Sequence, residues 1–301
     1  MSPRPVFKDS ALQRRYEELG YVSFPLLDGN AVREIADAYA ALAIEDHYGI
    51  GYRVSLYTSA LDTRRRAREL LIEKAFPALD AWLVNRNPYM ATYLVKEAGG
   101  RWIPAHQDWS HCDESLDDSV MCWVPLCDVD EHNGGLGFIN GSHRYFDYLR
   151  AFPYTVARTP VDCHGQRLLA YLNFAEMRAG DAVVFNNRVI HGSLPNASAA
   201  TRTAFSFALH PNGEPLLAYY LKPGAGAKRL LQYQATPDLY LEYPNPRMGE
   251  LYQRGENVPG YSVREVAYDV PAVAWSELET MLGASGNRED ARRTASMPGR
   301  G

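Results

Sequence analysis

The segment RWIPAHQDWSH, residues 101–111, places His106 and Asp108 two positions apart. On an extended strand that spacing puts both side chains on one face. One imidazole and one carboxylate could then ligate a single metal ion. His191, in NNRVIHGS just after the apolar run AVVF, is the candidate third ligand, because a turn there would carry it back beside the pair. Two histidines and one carboxylate make the facial triad of non-haem Fe(II) oxygenases, with positions left open for a cosubstrate and O2. An HxD pair by itself also fits a loop in which the histidine caps or packs, so the surrounding sequence has to decide.

Arg202 bears on that decision. In TRTAFSFAL the residues Arg202, Ala204, Ser206 and Ala208 fall on one strand face, and Thr203, Phe205, Phe207 and Leu209 on the other. One face is thus small except for a single guanidinium. A buried unpaired charge is costly, and the planar fork of arginine suits a carboxylate in bidentate geometry. A dicarboxylate could chelate a metal at one end and meet Arg202 at the other. An ordinary salt bridge to a protein carboxylate, or exposure to solvent, explains the same residue equally well at this stage.

Positioning these groups requires strands. The first third of the chain reads as helical. Ser10 can cap a helix with Gln13 three residues on, ending at Gly20. A second helix is expected from Asn30 to about Glu45, and a third from near Ser59, with Asp62 in its first turn, to just before Pro77. From Pro88 the pattern changes to short apolar runs separated by Gly, Pro and Asn turns: YMATYLVKE, DSVMCWVPLCDV, AGDAVVF and TRTAFSFALHP, with LLAYLNFAE open between strand and helix. Such a series suggests an all-β barrel or sandwich core. Beyond residue 211 the Tyr-, Pro- and Gly-rich sequence reads as long loops with short helical turns wrapping that core, and a helix returns at AVAWSELETML. The expected organisation is one domain over 1–290, with a disordered tail at 291–301.

Composition narrows the classes. With 301 residues, 46% hydrophobic and 22% charged, the chain is an ordinary globular one. A formal net charge of -5 and no basic stripe argue against nucleic acid as a partner. No apolar run approaches a membrane span, and MSPRPVFKDS lacks a secretory h-region, so a cytoplasmic location and no membrane partner are expected. The four cysteines, Cys112, Cys122, Cys127 and Cys163, form no CxxC pair, so neither a disulfide scaffold nor a structural zinc site is signalled.

Taken in order, HQDW at 106–109, WVPLCDVDEHNGGLGFINGSHR at 123–144, GDAVVFNNRVIHGSLPN at 180–196 and TRTAFSF, whose arginine follows His191 by eleven positions, resemble the phytanoyl-CoA dioxygenase family of Fe(II)- and 2-oxoglutarate-dependent oxygenases. The resemblance covers roughly residues 88–210. It implies a mainly β fold with flanking helices, a double-stranded β-helix (jelly-roll, cupin-like) barrel. It implies iron ligation by His106, Asp108 and His191, with Arg202 holding the distal carboxylate of 2-oxoglutarate. By the same analogy Trp123 lines the cosubstrate pocket, where the residue alone reads equally as core. Tyr93 is a candidate donor to a cosubstrate carboxylate, or else packs against a helix. Where many relatives have Pro-Gly-Ser-His this chain has Asn140-Gly141-Ser142-His143, which keeps the turn chemistry; His143 is not expected to be a ligand. Asp108 occupies the position that a halogenase would leave for chloride.

The activity implied is oxidation of an unactivated C–H bond of a small metabolite, by hydroxylation or by desaturation, cyclisation or dealkylation, with Fe(II), 2-oxoglutarate and O2 consumed to succinate and CO2. The C-terminus PGRG is not a peroxisomal address, so the family's lipid-degrading role is not carried over; natural-product metabolism is the expected setting from the breadth of the family the chain resembles. Two other readings stay open: a protein- or peptide-modifying oxygenase using the Tyr-rich region as a groove, and a non-redox metal-binding barrel, either isomerase or binding protein. A polar and aromatic rim is expected from the 46–58 segment with Arg53, from His111, Asp113 and Glu114, and from Tyr219, Tyr220, Lys222, Lys228 and Arg229. The oligomeric state is not encoded in any feature of the sequence.

Overall fold

A computed structural model describes residues 4–44, 51–153, 159–174, 176–225, 228–270 and 272–290. In chain order the elements are α1 (Ser10–Leu19), β1 (Tyr21–Pro25), α2 (Gly29–Ala41), β2 (Tyr52–Val54), α3 (Leu61–Asp80), β3 (Arg86–Lys96), β4 (Ile103–His106), β5 (Val120–Pro125) and β6 (Leu136–Phe138). There follow α4 (Gly165–Leu168), β7 (Asn173–Phe174), β8 (Asp181–Asn186), β9 (His191–Ser193), β10 (Arg202–Pro211), β11 (Leu217–Leu221), β12 (Arg229–Gln234), α5 (Pro237–Glu242), α6 (Asn245–Gln253), β13 (Val263–Ala267) and α7 (Trp275–Ala284).

The strands make three antiparallel sheets, ordered β1-β8-β5-β10-β3-β2, β4-β9-β6-β7 and β11-β12-β13. The expected closed double-stranded β-helix barrel is therefore corrected to a mixed α/β fold with three open sheets. Each sheet ends in its own edge strands, and no ladder joins one sheet to another among the described residues. The strands of the four-stranded sheet are only two to four residues long, and its edge strands β4 and β7 pair with no described strand of the six-stranded sheet. Alternation in a sequence reports that a strand is half-buried; it carries no information on whether the sheet closes.

Helices cover one face of the six-stranded sheet. Ile35 of α2 and Leu71 and Leu79 of α3 share a core with Ala91 and Tyr93 of β3, Cys122 of β5, and Phe205 and Phe207 of β10. The opposite face looks toward the four-stranded sheet, where Trp123, Val183 and Ala204 pack with Phe138 of β6. Behind the four-stranded sheet lie α4 and α7, joined to it through Ala105, Leu168 and Leu278. The site occupies the space between the two larger sheets.

Several helix boundaries differ from expectation. Asp9, not Ser10, caps α1, its carboxylate accepting from the amides of Ala11 and Leu12; Gln13 instead accepts from Val6 and Phe7. Asp28 caps α2, which ends at Ala41. Helix α3 runs through Pro77 to Asp80. A proline there removes one backbone donor, but Ala75, Leu79 and Leu83 are fully buried and hold this turn against the sheet. LLAYLNFAE resolves into helical turns over Leu169–Tyr171 followed by β7. The region after 211 is not a looped wrap: β11, β12 and β13 form a sheet of their own, packed with α5 and α6 at one end of the cavity. The tail at 291–301 and part of the 46–58 rim segment lie outside the described residues. No described helix is long and apolar enough to cross a membrane.

Candidate metal and cosubstrate site

His106 ends β4 and His191 opens β9, and the two are direct register partners across that strand pair. Their rings stand 4.4 Å apart, centroid to centroid. Asp108 follows β4 by two residues and points back between them, its oxygens 3.8 Å from His106 Nε2 and 3.7 Å from His191 Nε2. One ligand atom from each of the three residues lies within 4.8 Å of the others.

The tautomers follow from the outer edges of the rings. His106 Nδ1 lies 2.7 Å from the carbonyl of Pro104, and His191 Nδ1 lies 3.1 Å from that of Val189. A carbonyl only accepts, so each Nδ1 carries a proton and each Nε2 is the ring nitrogen turned inward toward Asp108. His191 is buried, and burial, with His106 beside it, holds its pKa down at about 4 against the opposing pull of Asp108. It is therefore neutral at physiological pH, the form a metal needs.

The other end of the site is built from β10 and β3. Arg202 is 2% exposed, and among the described residues it has no carboxylate partner. Its Nη1 reaches only the Leu94 carbonyl at 3.4 Å, its Nε has no partner, and its guanidinium carbon sits 5.4 Å from the Trp123 ring centroid. Burial lowers its pKa, yet arginine stays charged in any protein. A desolvated cation with donors to spare, in a cavity shared with two imidazoles and a carboxylate, fits the free carboxylate of a metal-chelating dicarboxylate.

Lys96 is the register partner of Arg202 on β3 and is fully buried. Its Nζ donates to Ser193 Oγ at 2.6 Å and to the Leu194 carbonyl at 2.7 Å. Burial, followed by the charge of Arg202, pushes its pKa down to about 6. Ser193 itself lines the cavity and, because its oxygen accepts from Lys96, has its own proton available for the cavity.

A cavity of about 250 Å3 joins these groups. Trp123 lines it, as do His106, Asp108, His191 and Arg202, while Tyr93 does not. On β3 the cavity residues are Met90, Thr92 and Leu94, so Tyr93 faces the helices, where its hydroxyl donates to the Ile35 carbonyl at 3.2 Å. The expected polar rim is also corrected. His111 and Glu114 are buried away from the cavity, Tyr219 and Tyr220 are buried in the three-stranded sheet, and Lys222 pairs with Glu265. The walls are instead Tyr52, Val54, Leu56, Tyr57, Trp109 and Met121, with Asn245 from α6. Sequence reasoning missed Lys96 and Ser193. Parity along YMATYLVK would have placed Lys96 on the face of Met90, Thr92 and Leu94, and parity from His191 would have found Ser193.

The family model for phytanoyl-CoA dioxygenase (PhyH) matches residues 29–204. The 1-deoxypentalenic acid 11-beta-hydroxylase of Streptomyces exfoliatus is 26% identical over 228 residues, 65% of this chain and 78% of that protein. Dioxygenase olcK of Penicillium canescens is 32% identical over 148 residues, spanning 46% of this chain and 42% of that one. Among solved structures, the non-heme alpha ketoglutarate dependent carbocyclase SnoK from nogalamycin biosynthesis superposes with a TM-score of 0.54 at 19% identity, over 72% of this chain and 90% of the other.

Proposed function

The chain belongs to the phytanoyl-CoA dioxygenase family, and on that premise we propose that His106, Asp108 and His191 hold Fe(II) while Arg202 and Ser193 bind the distal carboxylate of 2-oxoglutarate. The protein is an enzyme of the Fe(II)- and 2-oxoglutarate-dependent dioxygenase class, acting on a small metabolite of natural-product biosynthesis. The observation that carries the residue assignment is the buried guanidinium of Arg202, without a protein anion among the described residues, in the same cavity as the His-Asp-His set.

When bound, the iron supplies the chemistry that couples decarboxylation of 2-oxoglutarate to oxidation of a C–H bond by O2, with succinate and CO2 released. The chain's own residues bind, orient and shield. Two imidazoles, each fixed through Nδ1 to a backbone carbonyl, present Nε2 inward, and that of His191 does so without having to shed a proton. Arg202 offers its fork to the distal carboxylate, with the Trp123 ring alongside. The apolar walls keep water from the reacting centre and hold the substrate in place.

Those walls also define what part of a substrate enters. Among the described residues the only charged or metal-ligating side chains lining the cavity are the triad and Arg202, all four committed in this reading. The reacting portion of the substrate is accordingly uncharged and rich in carbon. At about 250 Å3 the cavity lies below the roughly 300–1,000 Å3 typical of drug-sized ligand sites, so a bulky carrier would remain outside. The reading takes the chain to residue 290 as one domain, and all four cysteines are free, which supports a reducing, cytoplasmic setting.

The test is anaerobic titration of the apoprotein with Fe(II) and then 2-oxoglutarate, followed in the visible spectrum. A charge-transfer band that forms in the wild type and is lost in His106→Ala and Asp108→Ala is the expected result. Iron uptake without a band means that 2-oxoglutarate does not chelate the metal, and the assignment falls.

A further inference from the structure

The loop bearing Asp108 and the turn bearing His191 come from distant parts of the chain, yet both are tied to one buried carboxylate. Glu114 is 7% exposed. Its Oε1 accepts from Arg150 Nη2 at 2.5 Å, and its Oε2 from Arg188 Nε at 3.2 Å and Ser110 Oγ at 3.1 Å. Arg150, itself 2% exposed, donates through Nε to the backbone carbonyl of Asp108 and through Nη1 to that of Tyr148 at 3.0 Å. Arg188 stands three residues before His191 and donates through Nη2 to the Glu114 carbonyl at 2.9 Å. Its own carbonyl accepts from Gln107 Nε2 at 2.5 Å, and Gln107 Oε1 accepts from the Tyr148 hydroxyl.

These bonds close a ring. One arm runs from Glu114 through Arg150 to the peptide of Asp108; the other runs through Arg188 to Gln107 and to the turn that delivers His191. No atom of the ring lines the cavity except those of Asp108, so it contacts neither substrate nor cosubstrate. Burial raises the Glu114 carboxyl, but Arg150 and Arg188 together pull it below the ordinary carboxylate range. The carboxylate therefore stays charged, and its bonds to both guanidiniums are the strong, charge-assisted kind. Removing that charge leaves the buried Arg150 and the partly exposed Arg188 guanidiniums facing each other without a carboxylate between them, and their repulsion acts on the two segments whose separation sets the metal site.

We propose that Glu114 is a positioning residue, which holds Asp108 and His191 at metal-binding separation by joining Arg150 to Arg188. The proposal rests on the reading that His106, Asp108 and His191 bind a metal. The test uses Co(II) as the probe, titrated into the full chain without oxygen. Its ligand-field absorption reports both affinity and coordination geometry, and far-UV circular dichroism reports the fold. Glu114→Gln is compared with Asp117→Asn. Asp117 lies in the same loop, is equally buried and pairs with Arg86 at 2.5 Å, but has no bond to residues 106–109 or 188–191; it controls for the loss of any buried charge.

Glu114→Gln is expected to bind Co(II) about 10–100-fold more weakly with an altered spectrum, the scale typical for groups that orient metal ligands, whereas Asp117→Asn keeps wild-type affinity and spectrum. If Glu114→Gln does not fold, Arg188→Lys replaces it: it keeps the charge, loses the bond to the Glu114 carbonyl, and should shift the spectrum in the same direction. Wild-type affinity and spectrum in the variant overturn the proposal, and so does an equal loss in Asp117→Asn. A wild-type chain that takes up no Co(II) overturns instead the metal reading on which the proposal stands.

Discussion

Arg202→Met tests the cosubstrate end of the cavity along two axes that move in opposite directions. In the free protein the guanidinium is buried, makes one long hydrogen bond to Leu94 and leaves Nε without a partner. Methionine is apolar and flexible enough to fill the space, so the substitution removes a desolvated charge and an orphan donor. The gain is about 1–3 kcal/mol, by analogy with unsatisfied buried polar groups and with buried ion pairs replaced by apolar residues. In a chain of this size that raises Tm by about 2–6 °C. Binding moves the other way. Losing a buried charge pair costs about 2–5 kcal/mol, which weakens 2-oxoglutarate about 30- to 4,000-fold. With Mn(II) as a redox-silent metal and 2-oxoglutarate at a hundred times its wild-type Kd, the wild type gains about 2.7 kcal/mol of stability, and the variant gains less than about 1 kcal/mol. Thermal unfolding with and without 2-oxoglutarate measures both effects. A variant less stable than wild type, or one that keeps the full 2-oxoglutarate shift, refutes the reasoning.

Lys96→Met should flatten the dependence of stability on pH. The native lysine is neutral above about 6 while the unfolded one stays charged to about 10.5, so the unfolded state binds the extra proton and wild-type stability climbs across that window, by up to about 1.4 kcal/mol per pH unit. Denaturant titrations from pH 6.5 to 9 that give parallel slopes for the two proteins would remove this account of Lys96. Gly192→Ala puts a Cβ 2.9 Å from the Ile103 carbonyl and 3.2 Å from Ala105 on β4. It should push β9 away, cost about 1–3 kcal/mol and weaken metal uptake; unchanged Co(II) affinity counts against the paired-strand origin of the site. Gly20→Ala meets a φ of +85° and places its Cβ 2.5 Å from His143 Nδ1. It should destabilise by more than about 1 kcal/mol, and a Tm equal to wild type would contradict that.

The site was more legible than the fold, for a physical reason. A period of two places side chains on faces, so His106 with Asp108, and Arg202 with Ser206, could be grouped from the sequence alone. The same rule, applied to Tyr93, would have turned it toward the helices, because Thr92 and Leu94 are the residues that face the cavity. What alternation does not encode is which edge strands find each other. The open sheets follow from long-range pairing such as β1 with β8 and β6 with β9. Tyr219 and Tyr220 illustrate the limit. In a sequence they read as a polar-tipped rim, but β11 is buried on both faces by its own small sheet and the helices over it. Glu114 was expected at the rim and is instead buried, because it pairs with two arginines, one 36 and the other 74 residues away, that no local pattern connects to it.

In the proposed reading the two ends of the cosubstrate are held by different sheets: the metal-ligand candidates sit on or beside the short strands β4 and β9, and Arg202 on the long central strand β10. A bound 2-oxoglutarate therefore acts as a tie-rod across the interlayer gap, anchored to one wall through the metal and to the other through the guanidinium. Oxidative decarboxylation would shorten that rod by one carbon: succinate keeps the carboxylate at Arg202 and carries a new carboxylate where the chelating keto acid had been, so its hold on the metal end would be weaker than that of the chelate. On the proposed site residues, loss of the chelating keto acid would loosen the link between the two layers, and the next molecule of 2-oxoglutarate would restore it.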